Sequence, residues 1–305
     1  MKTTRREFTK RLAEVGIGGM LAFGGCGPRE KEKPHSRTGA DEPDTTRPSR
    51  LRRLGKTGLL LSPVGFGAQH TRDPDLIRYA LDQGMNHIET AWSYGLGRPG
   101  NSCECIGKAI AGRRDSVCLA VAYMAEPAPA HKFWVQHQFE QTLRDLGTDH
   151  IEVLLWHHPS GTPPLTLGQY KALIAAGERV DLMLKWKAEG KIRWCGITTH
   201  SEQAGWLKFV VESTLYDVAV VAFNHESPKA ISTAMQEASR TGVGLIAMKT
   251  QSPNYLDGEG KIGNAPDHRK ALTWVLSKDY VTAAIPGMTT RSQVDLNLKT
   301  MSSTA

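Results

Sequence analysis

The sequence predicts an α/β fold, a closed (β/α)8 TIM barrel preceded by a short β-hairpin. Two observations carry that expectation. Eight short apolar runs recur from Ser62 onward, and eight amphipathic stretches of helical period follow them in strict alternation. Near-continuous apolar strands alternating with helices imply a parallel sheet covered by helices. Eight such units within about 250 residues imply that the sheet closes on itself. At 305 residues the chain can bury one large core.

The first 26 residues do not belong to this pattern. Thr4-Arg5-Arg6-Glu7-Phe8-Thr9-Lys10 precedes an apolar, glycine-rich run from Val15 to Gly25, too short to span a bilayer. Paired arginines followed by Phe and Lys resemble a twin-arginine export signal, which implies passage through the twin-arginine translocase and a periplasmic or outward-facing location. Phe23-Gly24-Gly25-Cys26 resembles a lipoprotein processing site, with Cys26 as a candidate lipid anchor. Residues 27–50 are dominated by charged residues, Pro, Ser and Thr, the composition of a disordered linker. The formal net charge is +7, three of it from the first 25 residues. Basic residues interleaved with aromatics are missing from the remainder, so nucleic acid is not an expected partner.

The folded part is expected over 51–305. Leu51 to Leu61 alternates around Gly55-Lys56-Thr57-Gly58, a hairpin pattern. Strands are predicted at Ser62–Ala68, His87–Ala91, Val117–Ala122, Ile151–His157, Trp194–Thr199, Val218–Phe223, Gly244–Lys249 and Val281–Pro286. Helices are predicted at Asp73–Gln83, Cys103–Ala111, Phe133–Leu146, Tyr170–Glu189, Glu202–Val211, Pro228–Arg240, Asp267–Ser277 and Arg291–Leu298. In such a barrel function sits where strands run out into βα loops. Those ends carry Gln69, Glu89 with Tyr94, Tyr123, His157-His158, Thr198-Thr199-His200, Asn224-His225, Lys249 and Gly287. So many polar and titratable groups at one rim point to an active site.

Several of these segments resemble one family. Arg53-Leu54-Gly55-Lys56-Thr57-Gly58 leading into Val64-Gly65-Phe66-Gly67 is similar to the opening of an aldo-keto reductase. Gly84 to Ala91 with Tyr94 resembles that family's second-strand signature, and Leu143 to Leu155 with His157 and Pro159 its fourth strand. Gly190-Lys191-Ile192-Arg193 with Gly196-Ile197, and Ile285-Pro286-Gly287 through Asn297, extend the likeness across roughly residues 51 to 298.

The resemblance implies NADP(H)-linked reduction of a small aldehyde or ketone by a monomer, using an Asp, Tyr, Lys and His. Tyr94 then matches the tyrosine that protonates the developing alkoxide, and His157 the histidine that steadies the carbonyl oxygen. Glu89 stands in the aspartate's place, one methylene longer, and Ala122 where the lysine belongs. A nearby cation lowers a tyrosine's pKa, whereas an ionised acid raises it. Three possibilities stay open: a protonated Glu89 bonded to Tyr94, a cation from elsewhere with Lys249 nearest on the rim, or loss of the chemistry. For the cofactor, Lys249, Gly287, Thr289 and Arg291 suit a phosphate at a helix start. Thr198 and Thr199 fall where the family holds the nicotinamide amide.

Two other readings compete. Glu89 with His157, His158, His200 and His225 could form a metal-dependent hydrolase or isomerase site, although no paired-histidine spacing is present and no metal ligand is assigned. A non-catalytic binding descendant of the fold is the other. Gly95-Leu96-Gly97-Arg98-Pro99-Gly100 has the form of a dinucleotide fingerprint, but its proline and the eightfold repeat argue against a Rossmann domain.

Overall fold

A two-stranded hairpin plugs one end of the barrel. In the computed structural model, which describes residues 51–95, 100–124, 131–157, 167–169, 178–251 and 267–303, β1 (Arg52–Arg53) pairs antiparallel with β2 (Leu60–Leu61). Residues 1–26 and 27–50, read above as an export signal and a linker, lie outside the described residues. A single 3-10 turn, Gly55–Thr57, joins the two strands. Leu54 and Leu61 are fully buried and belong to the cluster that fills the barrel interior. Leu54 seats on Gly244, where a Cβ would come 2.6 Å from its Cγ. The Lys56 N–H donates to the Gly242 carbonyl at 2.7 Å and its ammonium pairs with Asp217 at 3.1 Å.

Eight parallel strands then make the wall: β3 (Phe66–Gly67), β4 (His87–Ala91), β5 (Cys118–Met124), β6 (Ile151–His157), β7 (Ile192–Thr199), β8 (Val218–Ala222), β9 (Gly244–Met248) and β10 (Ala283–Ala284). Each pairs with the next in sequence, and bridges Val64–Ala284 and Gly67–Gly287 close the last strand onto the first. Pro63 and Pro286 have no N–H to give a ladder, which trims β3 and β10 well below the predicted runs. β5 runs on to Met124, past the predicted end at Ala122.

The helices are α1 (Pro74–Asp82), α2 (Ser102–Ile110), α3 (His131–Leu146), α4 (Glu178–Ala188), α5 (Gln203–Ser213), α6 (Lys229–Arg240), α7 (His268–Leu276) and α8 (Arg291–Ser303). α1 starts where its sequence says it should: Pro74 is at the first position and the Asp73 carboxylate accepts from Asp75 N and Leu76 N at 2.9 and 3.2 Å. Asn101 caps α2 and Asp267 caps α7 in the same way.

Side-chain parity sorts each strand. On β4, Ile88 packs into the helix-facing core and Thr90 donates to Ser102 Oγ of α2 at 2.8 Å. His87, Glu89 and Ala91 therefore face the barrel interior. Tyr123 of β5 turns to the helix layer, 6.0 Å from Phe139, while its neighbour Ala122 faces inward. The hairpin end of the barrel is satisfied charge by charge: Arg114 meets Glu152 at 3.0 Å, and the same carboxylate accepts Leu119 N at 2.8 Å.

Candidate active site

The turn after β4 sets the site. Tyr94 N–H donates to Ala91 O at 3.1 Å and Ser102 N–H to Tyr94 O at 3.0 Å, fixing the tyrosine between strand and helix. Tyr94 joins Glu89, His157 and Thr198 in the wall of one cavity of about 260 Å³. Lys249, Thr250 and Gln251 line the same cavity from just past β9, Gly287 and Thr289 from the loop between β10 and α8, and Asn297 from within α8. His157 ends β6, and its ring meets that of His200 edge-on at 5.3 Å.

Burial governs the charges here. Glu89 is 8% exposed, and desolvation pushes its carboxyl up to about 7, with Lys249 pulling the other way. Lys249 in turn is lowered by burial and raised by Glu89. Its Nζ donates to Gln69 Oε1 at 3.1 Å. Burial, with help from Lys249 and Arg72, lowers His70, another lining residue.

Seven of the nine residues singled out in the sequence converge on this cavity: Glu89, Tyr94, His157, Thr198, Lys249, Gly287 and Thr289. Thr199 and Arg291 do not. Thr199 lies on the helix-facing side of β7 with Cys195 and Ile197, and its hydroxyl donates to Ser201 O at 2.6 Å. Arg291 lies over the Tyr79 ring, 4.9 Å from its centroid, tying α8 to α1. The start of α8, expected to receive a phosphate, is closed by its own chain. Gln293 Oε1 accepts the N–H groups of Thr289 and Thr290 at 2.7 and 3.2 Å.

Sequence reasoning gives no individual catalytic or cofactor role to Gln69, His70, Gln251, His268, Gln293 and Asn297, which also line the cavity. Asn297 is 3% exposed and accepts from Gln251 Nε2 at 3.0 Å. Among the described residues no three His, Cys, Asp or Glu side chains are placed to hold an ion. His225 stands aside against Trp274 and Glu226, and His158 lies outside the described residues. Most of the glycine-rich 95–100 segment also lies outside them.

An eight-stranded parallel barrel, plugged at one end and carrying a phenol, an imidazole and a buried acid at the other, is the architecture of an α/β-barrel enzyme. The chain belongs to the aldo/keto reductase family, whose model matches residues 68–271. It is 31% identical over 167 residues to aldo-keto reductase YhdN of Bacillus subtilis, a match covering 48% of this chain and 46% of that one. It is 26% identical over 295 residues to the oxidoreductase YrpG of the same organism, covering 81% and 89% of the two chains. The matched stretch thus spans under half of the first relative and most of the second. In fold it is similar to the holo form of an aldo-keto reductase from Bacillus halodurans, with TM-score 0.64, 21% identity and coverage of 82% and 90%. A Klebsiella pneumoniae aldo-keto reductase solved in complex with NADPH gives TM-score 0.60, 22% identity and coverage of 83% and 89%.

Proposed function

We propose that this protein reduces a small aldehyde or ketone with NADP(H), with Tyr94 as proton donor, His157 as the group that steadies the carbonyl oxygen, and Glu89 as the acid behind them. The observation that carries the reading is the convergence of these three side chains, from β4, its turn and β6, on one cavity. Membership of the family and the NADPH bound by the Klebsiella protein support the choice of cofactor.

The residues present fit the reactive end of such a cofactor. The Thr250 hydroxyl is buried in the cavity wall with no hydrogen-bond partner among the described residues, and Thr198, Gly287 and Asn297 line the same cavity. These four would hold the cofactor. When bound, its nicotinamide would supply the hydride that reduces the carbonyl carbon and would itself be oxidised. The carbonyl oxygen then gathers negative charge, and the Tyr94 O–H bond breaks to give it a proton. His157 holds that oxygen during the transfer. Glu89, protonated up to about pH 7, returns a proton towards Tyr94.

Consumption of NADPH with a panel of small aldehydes and ketones tests this. Tyr94→Phe is expected to lower kcat by ~10²–10⁴-fold while NADPH still quenches tryptophan fluorescence. An intact protein that binds no NADPH ends the proposal.

We also infer that residues 1–26 direct twin-arginine export and that Cys26 anchors the protein by a lipid on the outer side of the membrane. The paired Arg5-Arg6 and the Gly24-Gly25-Cys26 stretch support this. Replacing both arginines by lysine should retain the protein in the cytoplasm, and Cys26→Ser should free it from membranes. Unchanged fractionation of both variants refutes the reading.

A further inference from the structure

Ala122 leaves the inner wall of β5 without a cation. It stands in register with Ala91 of β4 and belongs to the interior cluster, so a lysine there would point to the same space as Glu89. A different strand supplies an ammonium to that space.

β9 ends at Met248, and Lys249 follows with φ 55, in the left-handed region that residues with a Cβ rarely occupy. A wholly buried side chain holds this conformation: Asn224 Nδ2 donates to Lys249 O at 3.3 Å, and Asn224 Oδ1 is itself fixed by Glu226 N at 3.0 Å. Strained backbone held by its surroundings is a mark of functional placement. Lys249 Nζ then donates to Gln69 Oε1 at 3.1 Å. Gln69 lies two residues beyond Gly67, the register partner of Glu89, and Ala68 N–H donates to Glu89 O at 2.9 Å. The ammonium is thus fastened to the strand beside Glu89, on the flank opposite Ala122.

We propose that Lys249, held in place by Asn224 and Gln69, is the positioning cation of this site. It replaces the ammonium missing at Ala122 and balances the Glu89 carboxylate behind Tyr94. The inference rests on the reductase reading for its purpose, though not for its measurement. Among the described residues of the lining, Glu89 is the single acid and Lys249 the single lysine or arginine. The other titratable groups facing the pair are Tyr94, His70, His157, His200 and His268, with Arg72 acting on His70. Burial and Lys249 act on Glu89 in opposite directions, and the balance leaves its carboxyl near neutrality, where a proton can be both held and released. Lys249 is on this account a positioning residue and not a ligand for a cofactor phosphate.

The test needs no cofactor in its first arm. In protein labelled with 13C at the glutamate side-chain carboxyl, Glu89 should titrate near 7, and in Lys249→Met its midpoint should rise by about one pH unit or more. Lys249→Arg should restore the midpoint, as should a lysine installed at the vacated place in the double variant Ala122→Lys/Lys249→Met. A midpoint unmoved by Lys249→Met overturns the inference. In the second arm, NADPH affinity is read by tryptophan fluorescence. Lys249→Met should leave Kd within about threefold while the pH profile of kcat shifts alkaline with the carboxyl. A tenfold or greater weakening of NADPH binding with an unshifted profile would assign Lys249 to the cofactor and overturn the inference. Should the unmodified protein reduce no carbonyl, the reductase reading fails, and the carboxyl titration still decides the role of Lys249.

Discussion

His87 and Glu89 stand two residues apart on the inner face of β4, yet the two ends of the barrel treat them differently. At the hairpin end the His87 ring packs so tightly on Gly65 that a Cβ there would lie 2.1 Å from Nε2. Among the described residues its Nδ1 meets Ser62 Oγ, at 3.4 Å, and its Nε2 has no partner. Burial alone takes its pKa down to about 3, so the ring stays neutral. At the open end, Glu89 is also desolvated, but Lys249 opposes the effect and the carboxyl settles near 7. The closed end therefore tolerates a charge only in a contact pair such as Arg114–Glu152, whereas the mouth keeps an acid poised to titrate. Desolvation is common to both sites; the difference is a cation reaching in from another strand. A buried titratable group marks a working site where a second charge is arranged against it in a cleft, and a packed interior where none is.

The largest effect that sharpens this contrast concerns Glu89. Its folded-state pKa is raised from the ordinary 4.5 to about 7, so the native protein holds a proton that the unfolded chain gives up. The stabilising contribution of that proton is complete below about pH 4.5 and is lost as pH rises through 7. Above pH 7 the ionised carboxylate costs roughly 3 kcal/mol, at about 1.4 kcal/mol for each pH unit between the two values. Glu89→Gln should accordingly be more stable than the unmodified protein by about 2–3 kcal/mol at pH 8, with the gain vanishing near pH 4. The lower figure allows for Lys249 losing its counter-charge. Urea unfolding of both proteins across this pH range checks it. Equal stability at pH 8 would mean that the mouth is as wet as open surface.

Much of this architecture is legible in the sequence, because the period of the apolar residues dictates it. β4 and β6 begin and end where the sequence reading places them, at His87–Ala91 and Ile151–His157. The site is legible to the extent that strand ends can be found. Thr199 enters the sequence reading for want of a parity argument: Cys195 and Ile197 face the helices, so Thr198 must face inward and Thr199 outward. That signal is present in the sequence. Arg291 is a different case, because its place over Tyr79 depends on α8 meeting α1 across the closure of the barrel. No local pattern records that meeting. Gln69 gains its meaning only from Lys249, 180 positions away in the chain. Long-range contacts of this kind complete the site, and they are what a linear reading cannot supply.

The smaller effect lies at the closed end and carries the opposite sign. His87 has its folded-state pKa lowered from 6.5 to about 3, so the unfolded chain is the better proton binder. Its contribution to stability is complete above pH 6.5 and is lost as pH falls. By pH 5 the loss amounts to about 2 kcal/mol, again at ~1.4 kcal/mol per pH unit. Glu89 masks it in the unmodified protein, because its linkage runs the other way over the same range. In Glu89→Gln the masking is gone, and stability should fall by about that amount between pH 6.5 and 5. Imidazole NMR offers a check that needs no unfolding: the His87 ring should stay neutral down to at least pH 4.5 while surface histidines titrate normally. A His87 ring that protonates near pH 6 would show that water reaches the interior behind the hairpin. The two ends of β4 would then differ in nothing but the residue each carries, and the case for a poised acid at the mouth would rest on Lys249 alone.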